Sequence, residues 1–146
     1  MKFKILKADK RHKEEIDKLI QEVRIGSGVS GSLKNFWFVR VNNQIVACAG
    51  IDCIDPQTAI FTHCAVRKEF RHNGIGSALI NKRMEFARIL EMKTIALITM
   101  YYHFNFYKRR GFRTCPRKEL PDNLKNYWMF TARQYMKCAV MVNEKF

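Results

Sequence analysis

The stretch "AVRKEFRHNGIGSALI", Ala65 to Ile80, decides how this 146-residue chain is read. It passes from apolar residues through a basic segment to Gly74 and Gly76, then opens into helical spacing. A helix start carries unpaired backbone N–H groups and partial positive charge, and here two side chains are missing beside it. The pattern has two readings: an ordinary strand–turn–helix joint, or a bare backbone cradle for phosphate. Arg71, three residues before Gly74, adds a charge-assisted contact to the second reading. A Walker loop is excluded because Ser77 and Ala78 follow Gly76 with no lysine. A dinucleotide fingerprint is excluded because no third glycine stands near Leu79.

Outward from the glycines, Thr58 to Val66 reads as an apolar strand, and Leu79, Ile80, Met84, Ala87 and Leu90 recur at helical intervals. Lys93 to Thr99 is a continuous apolar run of the kind buried on both faces of a sheet. Thr58 to Thr99 is therefore a β-α-β unit whose strands are parallel with a right-handed crossover. Upstream, Phe36 to Val41 and Gln44 to Cys53 form a hairpin about Asn42-Asn43, and Asp55 to Gln57 supplies the next turn. Three consecutive strands thus form an antiparallel meander. A first strand ends near Lys7, and Asp9 caps a helix over Lys10 to Arg24 whose Ile16, Leu19, Ile20 and Val23 share the core-facing side. "GSGVSGS", Gly26 to Ser32, reads as a flexible loop.

Beyond the β-α-β unit, a short helix over Tyr102 to Arg110 ends at Gly111, a strand begins at Phe112 and runs to Cys115, and Lys137 to Val142 is the last strand. Pro116 to Tyr135 is a polar and aromatic excursion too long for a simple hairpin. The length suits one domain over residues 1–146.

Composition limits the partners. The net charge of +14 points to an anionic ligand or partner, a phosphate-rich cofactor among them. Lysines and arginines are spread along the chain and gather in no aromatic-interleaved patch, which argues against nucleic acid. No apolar run approaches the roughly 18 residues needed to span a bilayer. The N-terminal residues show no signal-peptide core, so no membrane partner and a cytoplasmic location are expected. Five cysteines lack metal-ligand spacing; they read as reduced, buried thiols, and no metal is expected.

Val66 to Ile80 resembles motif A of the GNAT superfamily of acyl-CoA N-acyltransferases, V-x-x-x-x-R/Q-x-x-G-x-G/A at a strand–helix junction. About 26 residues on, "FYKRRGF" (Phe106 to Phe112) resembles the family's second mark, F-Y-x-x-x-G-F. The element order fits that fold over Phe3 to Val142. The resemblance implies an α+β, mixed αβα fold: a mostly antiparallel central sheet, splayed at two parallel strands and flanked by helices. It implies acetyl-CoA as co-substrate, with Cys64, Ala65 and Val66 offering backbone groups to the pantetheine amides. Arg71, His72, Asn73, Gly74, Ile75, Gly76 and Ser77 would hold the pyrophosphate. Tyr107 matches the family tyrosine that donates a proton to the CoA sulfur, and a backbone N–H near Val66 would stabilise the oxyanion.

Three positions depart from relatives or leave roles open. Ile60 stands where histone-directed members carry a glutamate, so the general base is either His63 or an ordered water, with His72 and His103 as weaker candidates. Met100 stands where many relatives place an asparagine on the pantetheine arm. The tail "GFRTCPRKELP…YW…KCAVMV" resembles those of N-acetylglutamate synthase-type members, which acetylate the α-amino group of a small amino acid. Arg113, Arg117 and Arg133 are then candidates to clamp its carboxylates. Three functions are carried forward: a small-molecule amine or amino-acid acetyltransferase, a protein or peptide N-acetyltransferase, and a non-enzymatic basic module for nucleic acid. A homodimer is compatible with the resemblance.

Overall fold

The computed structural model describes residues 1–146. Its strands are β1 (Ile5–Lys7), β2 (Phe36–Val41), β3 (Gln44–Asp55), β4 (Thr58–Val66), β5 (Thr94–Thr99), β6 (Arg113–Thr114) and β7 (Ala139–Asn143). Its helices are α1 (Lys13–Glu22), α2 (Ile75–Ile89), α3 (Phe104–Lys108), α4 (Asp122–Lys125) and α5 (Trp128–Thr131). The seven strands hydrogen-bond in the order β1-β2-β3-β4-β5-β7-β6. The expected parallel pair is present, with Thr58, Ala59 and Ile60 in register with Thr94, Ile95 and Ala96. The β1–β2, β2–β3, β5–β7 and β6–β7 pairings are antiparallel, so the mixed architecture expected from the sequence is found.

Two compact units make up the chain. The first comprises Met1–Asp52 and Phe61–Ile89. In it β1 pairs with β2 and β2 with β3, and the hairpin turns on Asn42 and Asn43. Both asparagines have positive φ, 49° and 62°, the geometry that matches the twist of the flanking strands. Asp9 caps a short 3-10 turn over Lys10–His12 before α1 begins, so the long helix expected from Lys10 is shorter at both ends. The reason lies in the cap: the Asp9 carboxylate accepts from Arg11 N–H while His12 Nδ1 accepts from Asp9 N–H, tightening the first turn. Ile16, Leu19 and Ile20 are buried with Phe36, Phe38, Ile45, Cys48 and Ala65. Glu15 fastens α1 to the sheet by accepting from Ile45 N–H at 2.7 Å.

Helix α2 buries Leu79, Ile80, Met84, Ala87 and, unexpectedly, Arg83, which is 2% exposed. The Arg83 guanidinium lies 4.5 Å from the Phe61 ring centroid and donates to the Leu79 and Gly50 carbonyls. Carbonyl dipoles and an aromatic face thus stand in for a counter-ion.

The second unit comprises Cys53–Ile60 and Leu90–Phe146. Strand β7 pairs with β5 from Ile95↔Asn143 to Thr99↔Ala139, and with β6 at Arg113↔Val142 and Thr114↔Met141. Leu120, Leu124, Met129 and Phe130 from the excursion pack on Ile60, Ala96, Val140 and Val142. The excursion is therefore packed structure built from short helices. Arg117 organises it by donating to three backbone carbonyls, those of Phe130 (2.9 Å), Tyr135 (2.8 Å) and Cys138 (2.9 Å). Such a fork satisfies acceptors that short helices leave unpaired.

The cysteines are all free, but only Cys48 and Cys115 are buried, and Cys64 is exposed. The expectation of five buried thiols is corrected at Cys64 because the residue before it, His63, has φ +51° and breaks the inward–outward alternation of β4.

Candidate active site

The glycine turn follows directly from β4. A 3-10 turn over Lys68–Phe70 leads to His72 (φ 66°) and Gly74 (φ 80°), and α2 starts at Ile75. Its first backbone bond runs from Ala78 N–H to the Gly74 carbonyl at 3.0 Å, so the preceding N–H groups lie ahead of the helical ladder. Ile75 is buried and fixes the helix start on the core. A Cβ built on Gly74 or on Gly76 meets no atom within 4 Å. Positive φ accounts for glycine at Gly74. At Gly76 neither φ nor packing demands glycine, so the bare backbone suits a group that approaches from outside the chain.

Arg71 and Asn73 hold this turn. Arg71 Nε donates to the Val66 carbonyl at 3.1 Å, and Asn73 Nδ2 donates to the Phe70 and Arg71 carbonyls, each at 3.2 Å. Arg71 thus links the turn to the end of β4 and carries positive charge beside it. The sequence-expected residues Cys64 to Val66 and Arg71 to Ser77 are brought together within the first unit. An anion cradle of this kind fits the diphosphate of CoA: an α2 start fixed by a buried Ile75, open space at two glycines, and a neighbouring guanidinium.

Strand β4 presents its backbone in alternation. Arg67 N–H donates to the Val46 carbonyl at 2.8 Å and so faces β3. The pleat turns the N–H groups of Cys64 and Val66 to the opposite edge, where an extended amide-bearing arm can add as a further strand. Ile60 is fully buried and brings no carboxylate.

His63 is half-buried on β4, and its Nδ1 is buried without a hydrogen-bond partner. Burial is the main influence and pushes its pKa below the ordinary histidine value. His72 is exposed on the glycine turn, and His103 is exposed with its ring 4.5 Å from that of Tyr102.

Tyr107 belongs to the second unit, on α3. That helix closes with Gly111 N–H on the Lys108 carbonyl (3.1 Å) and Phe112 N–H on the Tyr107 carbonyl (3.2 Å), with Gly111 at φ 93°. This is a Schellman closure, and Phe112 packs edge-on against Tyr107 at 5.7 Å. The spacing F-Y-x-x-x-G-F therefore has a mechanical reading: glycine ends the helix and the following phenylalanine braces the tyrosine. Phe106 stands edge-on to Tyr107 at 5.0 Å, and the Arg110 guanidinium lies 4.0 Å from the Phe106 ring centroid. Burial lowers the Arg110 pKa, while Tyr107 acts in the opposite sense.

The arginines proposed as carboxylate clamps are differently placed. Arg113 pairs with Glu144 at 2.7 Å, Arg117 is engaged by the three carbonyls of the excursion, and Arg133 is exposed. Met100 lies against Cys138, with their sulfurs 3.6 Å apart. No group of three or more His, Cys, Asp or Glu side chains is arranged to hold a metal ion, and no helix is long and apolar enough to cross a membrane. Arg117 and the buried Arg83 are structural roles that sequence reasoning missed. Their partners are backbone carbonyls, which leave no residue-level pattern.

Known proteins share this architecture. Residues 32–114 match the family model described as an acetyltransferase (GNAT) domain. An amino-acid acetyltransferase of Pseudomonas paraeruginosa is 31% identical over 90 residues, covering 61% of this chain and 21% of that protein. The chain thus spans about a fifth of the length of the curated relative it matches. Among solved structures, N-acetylglutamate synthase from Neisseria gonorrhoeae, complexed with coenzyme A and N-acetyl-glutamate, superposes with a TM-score of 0.78 at 16% identity, covering 98% of this chain and 35% of that one. A Mycobacterium tuberculosis protein solved with CoA gives 0.79 at 15% identity, covering 98% and 99% of the two chains. Both show the fold.

Proposed function

The chain belongs to the GNAT acetyltransferase domain family, and on that premise we propose that it transfers an acetyl group from acetyl-CoA to a primary amine. The acceptor in this reading is the α-amino group of a small amino acid or a related small molecule, attacking directly in a ternary complex. The observation that carries it is the open space at Gly74 and Gly76 on a helix start, with Arg71 alongside. Arg71 to Ser77 would hold the diphosphate, and the backbone of Cys64 to Val66 the pantetheine arm.

Acetyl-CoA supplies the acyl group as a thioester. The amine nitrogen forms a bond to the acyl carbon, the carbon–sulfur bond breaks, the amine gives up a proton, and the thiolate takes one up. Within that scheme the Val66 N–H faces the charge that develops on the acyl oxygen. Tyr107 gives the proton to sulfur; a phenol of ordinary pKa near 10 serves as an acid for a thiolate when it is held in place, as the Schellman closure holds it. The amine proton leaves through ordered water, since His63 Nδ1 is buried and burial disfavours the protonated ring.

A peptide acceptor is the second reading. Two of the three arginines suited to carboxylates are already engaged, while Tyr101, Tyr102 and Trp128 are 75%, 64% and 48% exposed and give apolar surface for a chain of residues. A panel of amino acids and N-terminal peptides, scored by CoA release, separates the two. Turnover with amino acids and none with peptides is expected; the reverse selects the peptide reading, and no turnover with any amine removes both.

A further inference from the structure

Among the buried polar side chains, Asn143 is the only amide, 1% exposed at the end of β7. A buried amide is costly unless its donor and acceptor atoms are both engaged. Here they are. Asn143 Nδ2 donates to the Arg110 carbonyl at 2.9 Å, and Asn143 Oδ1 accepts from Lys145 N–H at 2.9 Å. Only this orientation satisfies both partners, since a carbonyl accepts and an N–H donates. The residue stands opposite Ile95 of β5, so the amide is carried by the sheet itself.

Its longer-range partner lies in the turn that closes α3, three residues after Tyr107. In that turn Arg110 N–H donates to the Tyr107 carbonyl at 2.9 Å, beside the Phe112 N–H already described, and Arg110 Nη1 donates to the Phe106 carbonyl at 2.8 Å. These bonds are internal to the segment. They shape the closure but do not fix it to the rest of the unit, and a helix of five residues has little stability of its own. Asn143 supplies a side-chain tie from β7. It also sits against the motif glycine: a Cβ on Gly111 would lie 3.0 Å from Asn143 Nδ2. The glycine of F-Y-x-x-x-G-F therefore lets the closure turn and lets the amide come close.

We propose that Asn143 is a positioning residue, whose amide brackets the α3 closure to β7 and so holds Tyr107 in place to give its proton to the departing sulfur. The functional half rests on the acetyltransferase reading above, while the bracket is a property of the fold within the second unit. Asn143 neither gives nor takes a proton in the reaction. Its loss acts through Tyr107 alone, so it should affect turnover and leave the binding of acetyl-CoA as it is.

Hydrogen exchange of the Arg110 and Phe112 amides, both bonded to the Tyr107 carbonyl, tests the bracket without any substrate. Asn143→Ala is expected to raise their exchange at least about tenfold. With the amine that releases most CoA in the panel, Asn143→Ala is expected to lower kcat about tenfold, with acetyl-CoA affinity within about twofold of the parent. A double-mutant cycle separates this from general loosening. In a Tyr107→Phe background, Asn143→Ala should change the residual kcat by less than about twofold. Asn143→Asp keeps the size of the side chain and, when ionised, offers only acceptors to the Arg110 carbonyl. At pH 8 it should show the same rise in exchange and the same fall in kcat, and it decides the matter if Asn143→Ala does not fold. Parent-like exchange at Arg110 and Phe112 overturns the proposal. So does a tenfold loss of kcat that persists in the Tyr107→Phe background, or a matching loss of acetyl-CoA affinity. Absence of CoA release with every amine counts against the acetyltransferase reading and the functional half together, and the exchange result then decides the bracket.

Discussion

Two glycine-bearing segments of the first unit, Gly26 to Ser32 and Arg71 to Ser77, look alike in sequence and differ in what their glycines meet. A Cβ on Gly28, at φ 144°, would lie 2.7 Å from the Asp17 carboxylate. A Cβ on Gly74 or Gly76 would meet nothing within 4 Å. In the first segment glycine lets the chain close upon itself, with Asp17 and Lys13 drawn in around it. In the second it keeps backbone open toward the outside. Glycine content alone says neither; the neighbours decide whether a bare backbone serves packing or a ligand.

The largest expected effect separates chemistry from both segments. Tyr107→Phe keeps the ring that braces Phe112 and removes only the hydroxyl, so kcat should fall by about a hundredfold or more while acetyl-CoA affinity is retained. Undiminished turnover would take Tyr107 out of the mechanism. Gly28→Ala comes next. Collision with Asp17 and an unfavourable φ together should cost about 2–4 kcal/mol of stability, read as a drop in Tm with acetyl-CoA binding preserved in the folded fraction. A parent-like Tm would mean that the loop yields easily and that the contrast with the glycine turn is false.

Much of the framework was legible because it rests on periodicity and turn chemistry. The bounds of β2 and β4 agree with the sequence reading, and Asn42-Asn43 does make the hairpin turn. The glycine turn was legible because a helix start needs N–H groups ahead of its ladder, and those cluster with Gly74, Gly76 and Arg71. What escaped has a common physical form: side chains bonded to backbone carbonyls far along the chain. Arg117 binds carbonyls 13, 18 and 21 residues away, and Lys13 reaches the Val29 carbonyl 16 residues on. No residue type marks the acceptor in such bonds, so a packed excursion read only as polar and aromatic, and an anchored loop read as flexible. Cys64 was misread for a related reason, since one left-handed residue before it reverses the side on which it emerges.

The same logic limits the acceptor assignment. The resemblance of the tail suggested a carboxylate clamp, yet Arg113 and Arg117 are engaged by Glu144 and by carbonyls. The donor side of the site is therefore better defined than the acceptor side.

The central claim is that Gly76 is bare for the sake of CoA, and calorimetric titration of acetyl-CoA into the parent and Gly76→Ala tests it most directly. Alanine has room in the protein and suits a helix, so Tm should hold or rise slightly, by the equivalent of roughly 0.5–1 kcal/mol. The account predicts that acetyl-CoA affinity nevertheless falls at least about tenfold, close to 1.4 kcal/mol. Parent-like affinity in Gly76→Ala, or no binding of acetyl-CoA by the parent protein, would contradict it.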